Sequence, residues 1–195
     1  MSHQRGTDQR VQRTRTLLHD ALASLVHEKR YDDIAVQEIL ARADVGRSTF
    51  YAHYRGKDEL LEIGIRDLLH IDARPSEHWK SATERLLRFS LPFLEHVELS
   101  RHARGLPFHP EWSAVVHEHL RRVLESQLAD ELRAERRRRD RRGRVVPAEL
   151  LARNVASAFV LVLGWWLEHP QLGARDVDEY FRALVEPALR DELGN

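Results

Sequence analysis

Apolar residues recur three and four positions apart along nearly the whole chain, and no stretch sustains a two-residue alternation. This spacing predicts helices rather than strands. In the N-terminal third it predicts four helices: a stripe of Leu18, Leu22, Leu25 and Val26; a short stripe of Val36, Ile39, Leu40 and Ala43; the segment RSTFYAHY; and a helix from about Lys57 to Ala73. The chain is therefore expected to be all-α.

Beyond Pro75 the pattern predicts longer helices at about 77–99, 111–140, 147–169 and 175–191, separated by segments rich in Gly and Pro. Pro92 falls inside the first of these and is expected to kink or split it. Pro75 marks a break between two modules, and the helix before it belongs to both. We assign residues 1–56 to an N-terminal domain and residues 57–195 to a C-terminal helical domain.

The segment from Val36 to Tyr54 has the plan of a helix-turn-helix, with two short helices joined by a tight turn and a packing helix before them. Phe50 and Tyr54 are four residues apart and share one face, which we expect to turn inward. That choice turns outward a polar and aromatic set suited to phosphates and base edges in a major groove: Arg47, Ser48, Thr49, Tyr51 and His53. Periodicity alone does not separate this interpretation from an ordinary helical hairpin with a polar surface.

Two further residues extend this candidate DNA-binding surface. Gly46 opens the third helix and lets the backbone approach a groove closely. Lys57 begins the fourth helix, where positive charge and free N–H groups both suit a phosphate. Gly56 is a permitted N-cap there, and acidic residues follow it in the first turn.

Charge and composition change this picture little. The net charge is +0 with 32% charged residues, and the chain has no cysteine, so disulfides and Cys-type zinc sites are excluded. The longest apolar run, from Val155 to Leu167, has 13 residues. A membrane-spanning helix needs about 20, so we expect a buried core helix, no membrane partner and a cytoplasmic protein.

Catalytic motifs and metal-ligand spacings are absent from the sequence. It contains no GxSxG, no phosphate-binding glycine loop, no dinucleotide fingerprint and no zincin-like His pair. We therefore expect no cofactor, no metal and no enzymatic activity. Two alternatives stay open: a helical enzyme acting on a small apolar molecule, and a sequence-independent nucleic-acid-binding protein that uses the Arg-rich stretch from Arg133 to Arg144.

The stretch IAVQEILARADVGRSTFYAHYRGKDELL resembles the DNA-binding domain of the TetR family of bacterial transcription regulators. The resemblance runs from near Thr14 to about Leu61, and the C-terminal GWWLEH…FRALVEPAL resembles a dimerisation segment of the same family. It implies a two-domain protein that binds a pseudo-palindromic operator as a homodimer. Such a protein usually represses, and it releases DNA when a small-molecule effector enters the C-terminal domain.

The resemblance also implies residue roles. Arg47, Ser48 and Thr49 would read bases and touch phosphate, Tyr51 and His53 would press on the backbone, and Lys57 would anchor a phosphate. Two positions depart from the family pattern. Arg30 stands where the family commonly has Gly, which would cost about 1 kcal/mol in a left-handed conformation. Ala35 replaces the usual Ser or Thr cap of the second helix, which forfeits about 1 kcal/mol.

The C-terminal helices carry broad apolar faces that suit a two-fold four-helix bundle, although the internal core of a monomer would show the same pattern. For the dimer interface we predict Phe159, Leu163, Trp166, Phe181 and Leu184. For the lining of an effector cavity we predict Phe89, Phe93, Trp112, Phe159 and Trp165, although aromatic residues at helical spacing usually belong to the core. In a dimer, the operator half-sites would lie about 34–36 Å apart.

Overall fold

The computed structural model describes residues 2–70, 79–104, 113–139 and 146–193. Within these ranges the regular structure is helical, which confirms the all-α prediction. The helices are α1 (Ser2–Glu28), a single 3-10 turn (Tyr31–Asp33), α2 (Val36–Ala43), α3 (Arg47–Tyr51), α4 (Lys57–His70), α5 (Ala82–Leu86), α6 (Ser90–Arg104), α7 (Ser113–Arg139), α8 (Ala148–Leu167) and α9 (Ala174–Leu193).

The chain forms two compact units. Unit 1 comprises Met1–Gly64 with Leu106–Val116, and unit 2 comprises Ile65–Gly105 with His117–Asn195. The boundary falls within α4, so this helix contributes its first residues to one unit and its last to the other. The predicted division at residue 56 remains a prediction, and Pro75 lies outside the described residues.

The core of unit 1 is built from the stripes that periodicity predicts. Leu18, Leu22, Leu25 and Val26 of α1 are buried, as are Ile39 and Ala43 of α2. They pack together with a third group that follows in sequence: Phe50, Tyr54 and Leu60. This apolar cluster fixes α2 and α3 against α1, because burying each large side chain stabilises the unit by about 1.5–3 kcal/mol.

The connection before α2 departs from the family pattern without strain. Arg30 has φ −58° and ψ 141°, so the left-handed conformation that would favour Gly is not used, and its expected cost does not arise. Ala35 is the N-cap of α2 and supplies no side-chain cap. The Glu38 carboxylate instead accepts a hydrogen bond from the Ala35 N–H at 2.9 Å. One orphan donor is thereby satisfied, as in half of a capping box.

Unit 2 has an aromatic centre. Phe89, Phe93, Phe159 and Phe181 are buried, and their rings meet edge to face with centroids 5.1–6.2 Å apart. Edge-to-face contacts of this kind add about 0.5–1.5 kcal/mol per pair beyond area burial. The cluster joins α8 and α9 to the segment around α6.

The helix predicted at 77–99 is split, as Pro92 suggests. α5 ends at Leu86 and α6 begins at Ser90, which places Pro92 in the first turn of α6. A first-turn residue has no intrahelical partner for its N–H, so proline costs little there. The Leu87 carbonyl at the break accepts a hydrogen bond from the Arg182 guanidinium at 3.1 Å and lies 2.8 Å from Ser90 Oγ. Buried Asp178 accepts hydrogen bonds from the Ser90 hydroxyl and from Arg182 Nε.

By length and composition α8 could cross a membrane, a property that it shares with the core helices of many globular proteins. One face of α8 is buried in the structure, including Leu151, Val155, Phe159 and Trp166. This burial is what a core helix requires, as the sequence predicts.

Candidate nucleic-acid interface

A tight turn joins α2 to α3. Asp44 ends α2 in a left-handed conformation with φ 52° and ψ 46°, and the Val45 N–H bonds to the Leu40 carbonyl at 3.1 Å. Left-handed residues followed by such a bond satisfy the last carbonyls of a helix and reverse the chain. Among the described non-glycine residues, Asp44 is the one with positive φ. The sharp turn thus depends on a residue type that tolerates this conformation.

Gly46 is the N-cap of α3, with φ −67° and ψ 147°. Any residue adopts that conformation, and an added Cβ would meet only Thr49 Oγ1 at 3.9 Å. The protein itself therefore does not require glycine here. The predicted reason, close approach of the backbone to DNA, stays a prediction.

Phe50 and Tyr54 turn inward, as predicted, with 0% and 2% of their surface exposed. Their rings pack with centroids 5.5 Å apart. Tyr51 is 48% exposed, and the other members of the predicted outward set are also exposed, except that His53 is partly buried. α3 therefore presents a polar and aromatic side consisting of Arg47, Ser48, Thr49 and Tyr51.

Arg47 and Tyr51 are in contact on this exposed side. The Arg47 guanidinium carbon lies 5.6 Å from the centroid of the Tyr51 ring. Stacking on an exposed aromatic face is worth about 0.5–1 kcal/mol. This contact restricts the rotamers of Arg47 and leaves its N–H donors free to bind. Less conformational entropy would therefore be lost if Arg47 contacted a ligand.

Lys57 has a role that the sequence does not reveal. Its Nζ donates hydrogen bonds to three backbone carbonyls of the α1–α2 connection: Tyr31 at 2.7 Å, Asp32 at 3.1 Å and Ile34 at 3.0 Å. An ammonium group has three donors, and here all three are engaged. The predicted phosphate anchor therefore has its side chain committed within unit 1, because a phosphate would have to replace one of these bonds.

Next to Lys57, Asp58 accepts a hydrogen bond from the Tyr31 hydroxyl at 2.6 Å. Burial raises the pKa of Tyr31 above its ordinary value, and the bond to Asp58 raises that pKa further. The phenol stays protonated throughout the physiological range and acts as a fixed donor. The first turn of α4 is thus bonded to the 3-10 turn by two side chains.

Two ion pairs join α2 to the end of α1. Arg42 bonds to Glu28 through both guanidinium nitrogens, and Lys29 pairs with Glu38. The hydrogen bond from Arg42 lowers the pKa of Glu28, and that from Lys29 lowers the pKa of Glu38. These exposed pairs add little stability. They do withdraw two cations near the helix-turn-helix from contact with phosphate.

His19 supports α3 from behind. Its Nε2 is hydrogen-bonded to the Tyr54 hydroxyl at 3.2 Å, so the buried phenol is not left unsatisfied. A Cβ on Gly64 of α4 would lie 2.7 Å from His19 Nδ1, which shows that the backbone of α4 packs directly on this ring. The glycine inside a predicted helix was the signal available for this close approach.

Comparison with known proteins agrees with this geometry. A family model of bacterial regulatory proteins of the TetR family matches residues 18–62, the segment that holds the helix-turn-helix and its packing helix. An HTH-type transcriptional regulator of Bacillus subtilis, YxbF, is 33% identical over 100 residues. That alignment covers 47% of this chain and only 26% of YxbF, so the chain spans about a quarter of the relative's length.

Solved structures extend the agreement beyond the helix-turn-helix. The TetR transcriptional regulator from Streptococcus agalactiae is 27% identical with a TM-score of 0.54, and the alignment covers 92% of this chain and 97% of that one. The chain is thus similar to TetR-family regulators, in sequence over residues 18–62 and in fold over most of its length. RolR in complex with resorcinol, 18% identical with a TM-score of 0.51 over 91% of this chain and 88% of that one, has the same fold.

The residues predicted for the dimer interface divide into two groups by their exposure. Phe159, Trp166 and Phe181 are 0–1% exposed, and Leu163 is 5% exposed. These four side chains face the interior of their own protomer and have little surface to offer a second copy, and their assignment to the interface stays a prediction. Leu184 is 62% exposed, and its assignment stays a prediction.

The residues predicted to line an effector cavity also divide. Phe89, Phe93 and Phe159 pack on one another in the aromatic centre of unit 2, and their ligand role stays a prediction. Trp165 is 40% exposed and stacks on His169, so it faces away from that centre. Its assignment to an effector cavity stays a prediction. Trp112 lies outside the described residues.

His117 of α7 is a polar group that sequence reasoning missed as a candidate. Its Nε2 is buried and has no hydrogen-bond partner among the described residues. A Cβ on Gly164 of α8 would lie 3.3 Å from its Cε1, so the ring packs against that helix. Burial lowers the pKa of His117, which favours the neutral imidazole.

The Arg-rich stretch is partly paired. Arg133 bonds to Glu149 and Asp130, Arg136 to Glu192, and Arg138 lies 3.7 Å from Glu135. Residues 140–144 lie outside the described part of the chain. In the described residues no group of three or more His, Asp or Glu is arranged to hold a metal ion.

Proposed function

We propose that this chain is a TetR-family transcriptional regulator that places α3 in the major groove of a pseudo-palindromic operator. The observation that carries the proposal is the division of α3 and the turn that follows it into two sides. Phe50 and Tyr54 are buried, and the opposite side exposes guanidinium, hydroxyl and phenol groups. A helix fixed from behind holds its polar side chains at defined positions, which reading base edges requires.

The exposed residues suit distinct contacts. Arg47, at the N-terminus of α3 and stacked on Tyr51, fits two acceptors of one guanine, O6 and N7. Ser48 and Thr49 hydroxyls suit bases or phosphates, and Tyr51 and His53 suit the backbone. Gly46 leaves room for the DNA. Lys57 contributes here by position rather than by a phosphate contact of its ammonium group.

A homodimer is supported by exposed apolar residues on α8 and α9. On α8, Leu161 and Trp165 are 68% and 40% exposed and lie four residues apart on one side. On α9, Tyr180 and Leu184 repeat that spacing. The rings of Trp165 and Tyr180 are 6.0 Å apart, so the two pairs form one continuous apolar surface, which we call the α8–α9 patch.

Association of two α8–α9 patches would be two-fold symmetric and would bury residues that a monomer leaves in water. A four-helix bundle of two α8–α9 pairs is the arrangement that this patch fits. Two linked helix-turn-helix units gain affinity through effective concentration. They would read half-sites about 34–36 Å apart.

Response to an effector is supported by His117. A buried imidazole nitrogen without a partner costs about 1–3 kcal/mol, and a ligand hydroxyl that bonded to it would recover part of that cost. RolR, which has the same fold, binds resorcinol, a molecule with two such hydroxyls. An effector that binds one conformation of the dimer better shifts the population away from the DNA-bound state, which is repression relieved by ligand. Such a regulator would act in the cytoplasm and needs no cofactor.

Selection of bound duplexes from a random DNA pool tests this function. We expect enrichment of a palindrome whose half-sites are one helical turn apart and whose protected positions include a guanine. Binding that is insensitive to sequence and falls steeply with salt would favour the Arg-rich alternative instead. Failure to retain any duplex at low salt would overturn the proposal.

A further inference from the structure

The first turn of α4 is bonded to the chain segment that leads into α2. Lys57 donates to three carbonyls of that segment, those of Tyr31, Asp32 and Ile34, and its ammonium nitrogen also lies 4.7 Å from the centroid of the Tyr31 ring. Asp58 holds the hydroxyl of the same tyrosine. We call Tyr31, Lys57 and Asp58 the α4 clamp. Tyr31 is 3% exposed, so one side of the clamp is anchored in the core of unit 1.

The clamp acts where α2 lacks its own fixation. Ala35, the N-cap of α2, has no side chain that can accept a hydrogen bond from the first turn. Ile34, immediately before it, gives its carbonyl to Lys57 at 3.0 Å. The chain just before α2 is therefore also held from α4, in addition to the half capping box of Glu38.

We propose that Lys57 and Asp58 are positioning residues for DNA binding: through Tyr31 and the Ile34 carbonyl they set where α2, and with it α3, stands relative to α4. The effect on DNA binding rests on the proposed function, whereas the contacts of the clamp do not. α4 continues past Gly64 into unit 2. A displacement of its first turn must either carry the 3-10 turn along or break the clamp. The clamp is therefore a polar link between α4 and the segment that leads into α2, beside the apolar contact of Leu60 with Phe50 and Tyr54.

Two explanations of a Lys57 defect can be separated by salt. A cation that contacts a phosphate releases counterions, so its removal lowers the slope of log affinity against log salt by about 0.9 for each protomer. A positioning residue whose ammonium faces carbonyls changes the affinity and leaves that slope alone. Lys57→Met keeps the length of the side chain and removes all three hydrogen bonds.

The experiment uses the full-length chain, with Lys57→Met and Tyr31→Phe as test variants and Val26→Ala as control. Val26 is a buried residue of α1 outside the clamp, and its truncation lowers the stability of unit 1 while leaving every hydrogen bond of the clamp in place. First, without DNA, amide exchange is measured at Asp33 and Ile34, whose N–H groups bond within the 3-10 turn at 3.1 Å. We expect faster exchange there in Lys57→Met and, to a smaller extent, in Tyr31→Phe.

Second, affinity for the selected duplex is measured across a salt series well below the melting temperature. We expect Lys57→Met to bind the duplex about tenfold more weakly than the wild type, with the same salt slope. The affinity of Tyr31→Phe should lie between those of the wild type and Lys57→Met. Val26→Ala should bind with wild-type affinity. A salt slope reduced by about 0.9 per protomer would assign Lys57 to phosphate and overturn the clamp, and so would unchanged exchange at Asp33 and Ile34. An equal loss of affinity in Val26→Ala would show that Lys57→Met acts only by lowering the stability of unit 1, and it would overturn the positioning role. If the wild type selects no duplex, the proposed function fails, while the exchange result still decides whether the clamp holds the turn.

Discussion

The helix-turn-helix and the α8–α9 pair differ in how clearly the sequence indicates which side of each helix is buried. In α3 the apolar residue that is buried, Phe50, directly precedes Tyr51, which is half exposed and beside polar neighbours. In α8, buried Phe159 is followed two residues later by Leu161, which is 68% exposed. Both regions are rich in large side chains, but only in α3 does polarity indicate which side faces the protein.

The difference follows from the number of apolar sides. A helix with one apolar stripe has one way to bury it, so its orientation follows from its sequence. α8 and α9 each carry a second apolar group beside the buried one, and apolar periodicity cannot say which of the two packs inside the protomer. The larger aromatic residues, which suggested an interface, are the ones used inside, because they fill the centre of unit 2.

The largest effect that tests this comparison is expected at neighbouring residues of α3. Phe50→Ala removes a fully buried ring and should lower the stability of unit 1 by about 3–5 kcal/mol, whereas Tyr51→Ala should change it by about 1 kcal/mol or less. Urea unfolding combined with amide exchange in α1 measures both. Equal losses in the two variants would show that Tyr51 belongs to the core and that α3 has no free side.

The matching experiment in unit 2 separates Phe159 from the α8–α9 patch. Phe159→Ala should destabilise the protomer core by about 3–5 kcal/mol. Leu161→Arg with Leu184→Arg should instead shift the chain from dimer to monomer in sedimentation, with its helical circular dichroism retained, because two charges cannot be buried unpaired in an interface. A double variant that remains dimeric would place the interface elsewhere.

A smaller effect is expected at the turn between α2 and α3. Alanine lacks the short polar side chain that lets aspartate tolerate the left-handed conformation, so Asp44→Ala should lower stability by about 1 kcal/mol. Asp44→Gly should be neutral or slightly stabilising, because glycine adopts this conformation freely. Thermal unfolding of the two variants gives the comparison. If alanine were tolerated as well as glycine, the left-handed turn would not be what fixes the angle between α2 and α3.

The smallest effect concerns buried polar groups: Tyr31 and Tyr54 of unit 1 are hydrogen-bonded, whereas His117 Nε2 of unit 2 has no partner in the described part of the chain. Burial depresses the pKa of His117 below its ordinary value of 6.5, so the folded state binds this proton less readily than the unfolded chain. The contribution of neutral His117 to the free energy of unfolding is therefore fully present above about pH 6.5. It is lost as the pH falls toward the lower pKa of the folded state. His117→Gln should flatten that acid loss in denaturant titrations of unit 2. An unchanged pH profile would show that His117 is protonated as easily when folded.

The helices of unit 1, their inward residues and the break before Pro92 were all predictable, since each depends on local pattern. The roles of Lys57 and His19 were not, because their partners Ile34 and Tyr54 are 23 and 35 residues away and no spacing rule connects them. Lys57 is instructive in this respect. A cation at a helix start suggests phosphate, but tertiary structure brought three carbonyls within its reach.

In unit 2 the sequence shows which residues are apolar. It does not show which of the apolar residues of α8 and α9 lie in the core and which lie on the surface. The bonds from Ser90 to Asp178 and from Arg182 to the Leu87 carbonyl join residues 88 and 95 positions apart, at a helix break whose carbonyl needed donors. Such satisfaction of buried polar groups is a property of the folded arrangement. It cannot be inferred from any single helix.

The central claim is that the exposed side of α3 carries sequence recognition while its buried side only supports it. The most direct test is the ratio of dissociation constants for the selected duplex and a shuffled duplex of equal composition, at one salt concentration, for wild type and for Arg47→Ala with Tyr51→Ala. We predict that this ratio falls toward one in the double variant, with dimer state and helical content unchanged, since each lost base contact is worth about 1–3 kcal/mol of discrimination. A double variant that discriminates as well as the wild type would contradict the account.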